Sequence, residues 1–188
     1  MSIQKSWSEL QKMARACKIV VDTLDSLAWP EHGRRLAVTG DWSLAGLGAD
    51  RAYWRARAEG RLGQSLSSRV ALQVDGFAGF SGDDVPVYNW YRIGGVSLIP
   101  GYHHEELKGA QAIAGAVSLR AKVFGQLRVL VRGGAGNVFP TTADITLDGL
   151  RWGVGAGLYH PSPIGPVSFE MGVRDGGDTL ASLSIGWN

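Results

Sequence analysis

The residues with the clearest potential for chemistry stand side by side at His103, His104, Glu105 and Glu106. Imidazole nitrogens and carboxylate oxygens are zinc ligands, and a structural zinc site takes four ligands in a tetrahedral arrangement. Adjacent residues of an extended segment point to opposite sides, and no second spaced pair supplies the remaining ligands. We therefore expect no metal ion and no cofactor here, and interpret the four residues as part of a polar loop.

A second candidate is the serine of Gly79-Phe80-Ser81-Gly82, because hydrolase nucleophiles occur in a G-x-S-x-G turn. The glycine spacing is wrong for that turn, and no strand-to-helix transition is indicated around it. We expect the chain itself to be non-catalytic. Cys17 is the single cysteine, which excludes an internal disulfide, and we expect it to be a small buried apolar residue.

Composition narrows the class of protein. The net charge is +2 and the arginines are scattered, so no basic block suggests nucleic acid as a partner. With 27 glycines against 7 prolines, the chain is typical of a strand-and-turn protein. No apolar run approaches the roughly 20 residues of a transmembrane helix. Residues 1–16 contain no export signal and suggest a short helical or irregular segment before the main domain.

From there on, apolar and polar residues alternate over long stretches, which predicts strands because successive side chains point to opposite faces. The fold class is therefore all-β. Strands of ten or more residues with arginines on the polar face are typical of an antiparallel transmembrane barrel. A soluble β-sandwich that acts as a binding module is the alternative, although its strands are usually about five or six residues long. We predict nine strands, at 17–25, 34–44, 51–62, 69–79, 110–123, 126–137, 150–160, 166–174 and 180–188.

In a barrel, the polar face of these strands lines the lumen. Four carboxylates, Asp41, Glu59, Asp75 and Glu170, share that face, which favours a hydrated and charge-balanced wall. A surplus of cations would instead attract anions into the passage. The predicted lumen-lining cations are Arg55, Arg57, Arg61, Arg120, Arg128 and Arg132.

Four tryptophans lie on the apolar face of the predicted strands. Trp42, Trp54 and Trp152 fall at strand ends next to longer connections, and Trp187 falls at the opposite end. Membrane barrels carry girdles of aromatic residues at both membrane interfaces. We therefore predict these four as interface residues.

Between the fourth and fifth strands lies a connection of about thirty residues, and loops of that length are usually functional or disordered. Its second half, residues 91–109, reads YRIGGVSLIPGYHHEELKG. Further along, Gly153, Gly155 and Gly157 share one face of a strand. Glycines in a strand allow another backbone to approach closely, so these three indicate that a second segment of chain packs against this strand.

Four short motifs then follow one another between residues 17 and 188. They are Asp22, Thr23 and Asp25 with Pro30 and Gly33; RIGG at 92–95 with IPGY at 99–102; AGNV at 135–138; and IGP at 164–166. Together they resemble the bacterial surface antigen superfamily, the BamA/TamA-type outer-membrane assembly and translocation barrels. The resemblance implies a barrel of sixteen strands whose motif loop folds into the lumen, with strands eight to sixteen in this chain. Gly153, Gly155 and Gly157 are then expected to leave space for that loop.

The loop resembles one branch of that superfamily more closely, the branch in which the barrel follows a patatin-type phospholipase domain. This resemblance implies a barrel that anchors, and helps translocate, an upstream patatin-like domain. The alternative is a barrel that inserts or translocates other outer-membrane proteins. The loop residues that carry the resemblance are Gly94, Gly95, Leu98, Gly101, Tyr102, Glu106, Leu107 and Gly109.

The chain departs from the family pattern at three positions. In the assembly members the resemblance implies a loop arginine that pairs with acidic residues on neighbouring strands. Here the arginine position is Pro100, and the two acidic positions are Gly134 and Ser118. Losing both sides of an ion pair together costs less than losing one side, so we expect a different way of holding the loop.

The predicted domains are a segment at 1–16 and a C-terminal barrel domain at 17–188. Nine strands cannot close into a barrel without one parallel seam, so we expect the first strands, the export signal and any periplasmic domains upstream. The implied partners are outer-membrane lipid, the missing N-terminal strands or another chain that completes the barrel, and the barrel-assembly machinery.

Overall fold

The computed structural model describes residues 14–26, 30–43, 51–162, 165 and 167–185. These residues are mostly β-strand, with single 3₁₀ turns at Val87–Asn89 and Thr142–Asp144. None of the described helical segments is long and apolar enough to cross a membrane. The strands are β1 (Ala14–Asp22), β2 (His32–Ser43), β3 (Tyr53–Ser65), β4 (Val70–Ser81), β5 (Tyr91–Ile93), β6 (Leu107–Gly109), β7 (Gln111–Phe124), β8 (Leu127–Phe139), β9 (Arg151–His160), β10 (Val167–Arg174) and β11 (Thr179–Ile185).

Nine strands form one antiparallel sheet in the order β1-β2-β3-β4-β7-β8-β9-β10-β11. Each strand pairs with its neighbour in the chain, except that β5 and β6 form a small separate sheet. The predicted nine-stranded antiparallel architecture is confirmed. A β-sandwich needs a second sheet packed on the first. The described residues form no second sheet of comparable size, so the sandwich alternative is wrong.

The two faces of the large sheet differ as the alternation predicts. On the outer face, large apolar side chains are exposed, including Leu119, Val131 and Leu183 at 49%, 56% and 66%. Apolar exposure that continues across a sheet marks a surface made for an apolar partner. The inner face carries buried polar residues instead, among them Ser118 and Arg132.

The first strand differs most from its predicted bounds. It ends at Asp22 because the carboxylate of Asp22 accepts the Leu24 N–H at 3.1 Å, which turns the chain. It starts at Ala14, so residues 14–16 belong to the sheet; the rest of the predicted N-terminal segment lies outside the described residues. Cys17 is exposed at the edge of the sheet, opposite Gly40 on the outer face, so its predicted burial is wrong.

Two further predictions fall on undescribed positions. Trp187 lies outside the described residues, as do Ile164 and Pro166 of the IGP motif. The remaining strand bounds agree with the predicted ones within three residues at each described end.

Candidate functional site

The connection between β4 and β7 folds back over the inner face of the sheet. We call residues 91–109 the inner loop. β5 and β6 pair with each other at its base, and both contact β8 of the large sheet. The tip turns at Gly94, Gly95 and Gly101, whose φ angles of 122°, 91° and 84° lie in the left-handed region that glycine adopts readily. The sequence predicted the loop but not the short two-stranded ribbon of β5 and β6 at its base.

The inner loop packs its own apolar side chains against the sheet. Ile99 is 0% exposed and Tyr102 is 1% exposed. They belong to one cluster with Tyr91, Ile93 and Ala112, the last from β7. Burying one large apolar side chain contributes about 1.5–3 kcal/mol. The inner loop is therefore packed against the sheet through its own buried side chains.

Glycines on the sheet let the loop backbone lie directly on β8 and β10. A Cβ at Gly134 would lie 1.8 Å from the carbonyl oxygen of Leu98. A Cβ at Gly172 would lie 2.4 Å from the backbone nitrogen of Gly101. Any side chain at either position would force the loop away from the wall.

Two of the three glycines predicted to make room on β9 do so. A Cβ at Gly153 would lie 1.8 Å from the carbonyl oxygen of Pro100, and one at Gly155 would lie 2.9 Å from the Cβ of Pro100. A Cβ at Gly157 would instead meet the side chain of Glu170 at 2.6 Å. The loop tip thus rests on the N-terminal half of β9, and the space at Gly157 accommodates a wall side chain.

Arg132 on β8 makes a buried polar contact with the loop. Its side chain is 7% exposed, and one Nη1 hydrogen is donated to the carbonyl oxygen of Val96. Its Nε donates to the hydroxyl of Ser118 at 2.7 Å, and a carboxylate oxygen of Glu170 lies 3.5 Å from Nη1. A buried guanidinium needs acceptors for its donors, and here the loop backbone supplies one of them.

A second set of polar contacts holds the loop tip near the end of β10. Arg174 pairs with Glu106 at 2.8 Å, and its guanidinium carbon lies 5.2 Å from the centre of the Tyr102 ring. The Tyr102 hydroxyl donates to Asp175. Burial raises the pKa of Tyr102, and the hydrogen bond to Asp175 raises it further. The phenol therefore stays protonated at neutral pH.

All six predicted lumen-lining arginines lie on the inner face. Arg128 lies with its guanidinium carbon 5.8 Å from the centre of the Tyr159 ring, and Arg120 is 5% exposed. The other four pair with the carboxylates that share their face: Arg55 with Asp41 at 2.9 Å, Arg57 with Glu59 at 3.6 Å, Arg61 with Asp75 at 2.6 Å, and Arg132 with Glu170 at 3.5 Å.

A cavity of about 520 Å³ separates the inner loop from β2, β3 and β4. Among the arginines that line it, Arg35 pairs with Asp22 at 3.2 Å and Arg92 with Glu105 at 3.3 Å. Arg55, which also lines it, pairs with a carboxylate in the same way. Because these cations have acidic partners, the geometry favours a hydrated, balanced wall over an anion-attracting passage.

The β1–β2 turn folds inward at the opposite end of the inner face. Gly33 has a φ of 102°, and a Cβ there would lie 2.1 Å from the carbonyl oxygen of Thr23. Pro30 is buried and lies beside Gly63. Slight desolvation by itself raises the pKa of the exposed Asp25, but hydrogen bonds from nearby backbone N–H groups outweigh it and lower the pKa. The motif residues therefore shape this turn.

Three of the four predicted interface tryptophans are on the outer face. Trp42 and Trp54 lie opposite each other on β2 and β3, and are 47% and 43% exposed. Trp152, near the start of β9, is 52% exposed. All three lie at the end of the sheet from which the inner loop departs.

The residues first considered for chemistry serve the packing of the loop. Glu106 accepts the His103 N–H at 2.7 Å and pairs with Arg174. No group of three or more His, Cys, Asp or Glu side chains in the described part of the chain could hold a metal ion. The Ser81 hydroxyl is buried at the end of β4 and donates to the carbonyl oxygen of Ala110 at 2.8 Å.

Two long-range ties were not predicted. The side-chain amide of Gln111 donates to the Ser81 carbonyl at 2.9 Å and accepts the Ser81 N–H at 3.0 Å, where the β4–β7 pairing ends. Glu31 of the β1–β2 turn reaches across two strands to Lys122, at 2.6 Å. For the contact between Gln111 and Ser81, the sequence offers one signal, a glutamine next to a glycine-rich connection. For the pair of Glu31 and Lys122, the sequence offers none.

The loop is held without the arginine that the family resemblance implies at position 100. Pro100 rests on the glycines of β9, and the place of a side chain at Gly134 is taken by the carbonyl of Leu98. Ser118, the second acidic position, accepts a hydrogen bond from Arg132. The loop backbone itself thus occupies the space beside the wall.

Comparison with known proteins gives a family and a fold. The protein-family model described as "Omp85 superfamily domain" matches residues 4–185 of this sequence. A crystal structure of BamA from Haemophilus ducreyi lacking POTRA domains 1–3 is similar, with a TM-score of 0.77 and 17% sequence identity. The match covers 91% of this chain and 42% of that chain, so this chain spans less than half of that structure. No curated protein matches the chain.

Proposed function

The chain belongs to the Omp85 superfamily, and on this premise we propose that it forms the C-terminal wall and the inner loop of a translocation barrel. Membership places the sheet in the bacterial outer membrane. There the exposed apolar residues of the outer face meet lipid, and the paired charges of the inner face meet water.

We infer that the barrel anchors an upstream domain of the same polypeptide and helps to move it across the membrane. The inner loop carries this proposal, because Gly94, Gly95, Gly101 and Tyr102, together with Leu98, Glu106, Leu107 and Gly109, make up the pattern that resembles the patatin-linked branch. Those residues form the tip that packs on the inner face. The cargo is then a patatin-like lipase domain, and the barrel itself contributes no catalysis.

Completion of the barrel is part of the proposal. In the described sheet β1 and β11 each have one neighbouring strand, which leaves two edges. Exposed edges pair readily with further strands, and a membrane-spanning sheet must satisfy every backbone group. We propose that upstream strands of the same polypeptide close the barrel, with another chain as the alternative, and that the barrel-assembly machinery inserts it.

The experiment has two steps. The first reads the gene upstream of Met1, where a patatin-like domain with its G-x-S-x-G turn is expected. The second places a protease site between that domain and the barrel and compares intact cells that carry the full-length protein or the upstream domain alone. We expect cleavage by external protease only with the barrel present. Equal cleavage of both proteins would contradict a role in translocation.

The second candidate is a barrel that inserts other outer-membrane proteins. The likeness in fold to the BamA barrel favours it. Several periplasmic repeat domains upstream of Met1 would support it. Depletion of the protein should then lower the amount of many other outer-membrane barrels, whereas an anchor for a single cargo should leave those amounts unchanged.

A further inference from the structure

We propose that two wall arginines, Arg132 and Arg174, position the inner loop, and that the loop contributes only acceptors to this contact. The positive charges belong to the sheet, and the loop supplies the acceptors. Arg132 donates to the backbone carbonyl of Val96, and Arg174 donates to the carboxylate of Glu106. The inference rests on the proposed function only in assuming that the position of the loop matters to transport.

Arg132 recognises the loop backbone and not a loop side chain. Its acceptor is the carbonyl oxygen of Val96, which any residue at that position would present. The two cross-strand neighbours of Arg132 are Ser118 and Gly155. Both are small, so the guanidinium has room to turn toward the loop. A variant at Val96 that keeps the backbone should therefore leave the contact intact.

Glu170 provides a way to separate positioning from charge balance. Its carboxylate lies 3.5 Å from Arg132 and its side chain is 19% exposed. If Arg132 served only to balance this partly buried carboxylate, removing both charges would restore the loop. If Arg132 holds the loop, the double variant stays defective, because the carbonyl of Val96 still lacks its donor.

Arg174 acts at a more exposed point. Its side chain is 27% exposed and that of Glu106 is 30% exposed, and Arg174 also pairs with Asp178. Solvent weakens exposed ion pairs, so this contact holds the tip less firmly than the buried one. We therefore expect the tip to open first at Arg174 and to stay held at Arg132.

The test is amide hydrogen exchange of residues 94–106 in the full-length protein in detergent. Arg132→Gln should speed exchange about 10- to 100-fold, the equivalent of a lost hydrogen bond to a charged group, and Arg174→Gln by less than about 5-fold. Arg132→Lys keeps the charge and a donor and should be intermediate. The matched control is Arg128→Gln, on the same strand and face, where exchange should equal that of the wild type.

Three results would overturn the proposal. The first is a wild-type exchange rate of the loop in Arg132→Gln. The second is a return to the wild-type rate in Arg132→Gln with Glu170→Gln. The third is an equal rise in exchange of strands β7, β8 and β9, which would indicate general loss of structure. None of these measurements involves cargo, so a failure of translocation with the exchange results intact would refute the proposed function alone.

Discussion

Gly134→Ala tests the position of the inner loop most sharply. The new Cβ would lie 1.8 Å from the carbonyl oxygen of Leu98, so the loop backbone must recede by at least 1.2 Å to reach 3.0 Å, the shortest separation that real Cβ contacts show. The methyl group cannot move aside, because residue 134 pairs with Ala116 on one side and Gly153 on the other.

The expected cost follows from the packing of the loop. Overfilling a packed site costs about 1–3 kcal/mol. If the tip leaves the wall altogether, the burial of Ile99 and Tyr102 is lost as well, at about 1.5–3 kcal/mol for each side chain. We therefore expect the loop to be destabilised by at least about 1 kcal/mol, which corresponds to about a fivefold change in its opening equilibrium.

The matched control is Gly133→Ala on the opposite face of the same strand. A Cβ at Gly133 would meet only the Val154 side chain, at 3.9 Å. Both variants replace a strand glycine by alanine, so the effect on the unfolded chain is common to them. Hydrogen exchange of residues 94–106 should rise at least about fivefold in Gly134→Ala and not in Gly133→Ala. Equal exchange in the two variants would refute the direct packing of the loop on β8.

Three further predictions concern stability in detergent, measured as the free energy of unfolding. Gln111→Leu should cost about 2–6 kcal/mol, because two buried backbone groups at the end of β4 lose their partner at about 1–3 kcal/mol each; a cost below 1 kcal/mol would show that this tie is dispensable. Tyr102→Phe removes the hydrogen bond to Asp175 and should cost about 1.5–3 kcal/mol. The folded-state pKa of Tyr102 is raised above its ordinary value of about 10. The stabilisation by this hydrogen bond is therefore complete below about pH 10 and is lost as the pH rises through the raised pKa. A stability difference between the wild type and Tyr102→Phe that persists at higher pH would contradict the role of this hydrogen bond. Glu31→Gln breaks a partly exposed pair with Lys122 and should cost less than about 1 kcal/mol; a larger loss would mean that the turn holds the strands together.

Much of the sheet follows from local pattern. In β8, Val129 and Val131 alternate with Arg128 and Arg132, and a strand has only two faces, so the pattern determines both the element and its orientation. The bounds of β1 were less predictable. Its end depends on Asp22, whose side chain competes for backbone N–H groups and turns the chain.

The inner loop was predictable in outline and not in its contacts. The glycines at 153 and 155 predicted a close backbone approach, which the structure contains. The hydrogen bond from Arg132 to Val96 was not predictable, because a backbone carbonyl leaves no trace in side-chain type. The pairing of Glu31 with Lys122 joins residues 91 positions apart, and no local signal specifies it. The prediction for Cys17 was wrong because it assumed that small apolar residues lie in a core. In this sheet the face that carries Cys17 points outward, away from the packed inner loop.

The most direct test of the barrel wall is which side of the sheet touches lipid. Spin labels are placed at two adjacent positions of β3, Arg57→Cys on the inner face and Ala58→Cys on the outer face, each in a Cys17→Ser background of the full-length protein in outer-membrane lipid. Relaxation by oxygen, which concentrates in lipid, is compared with relaxation by a water-soluble nickel complex. We expect relaxation by oxygen to dominate at position 58 and relaxation by nickel to dominate at position 57. Nickel access at both positions would contradict a barrel wall with lipid on one side and an enclosed, hydrated face on the other.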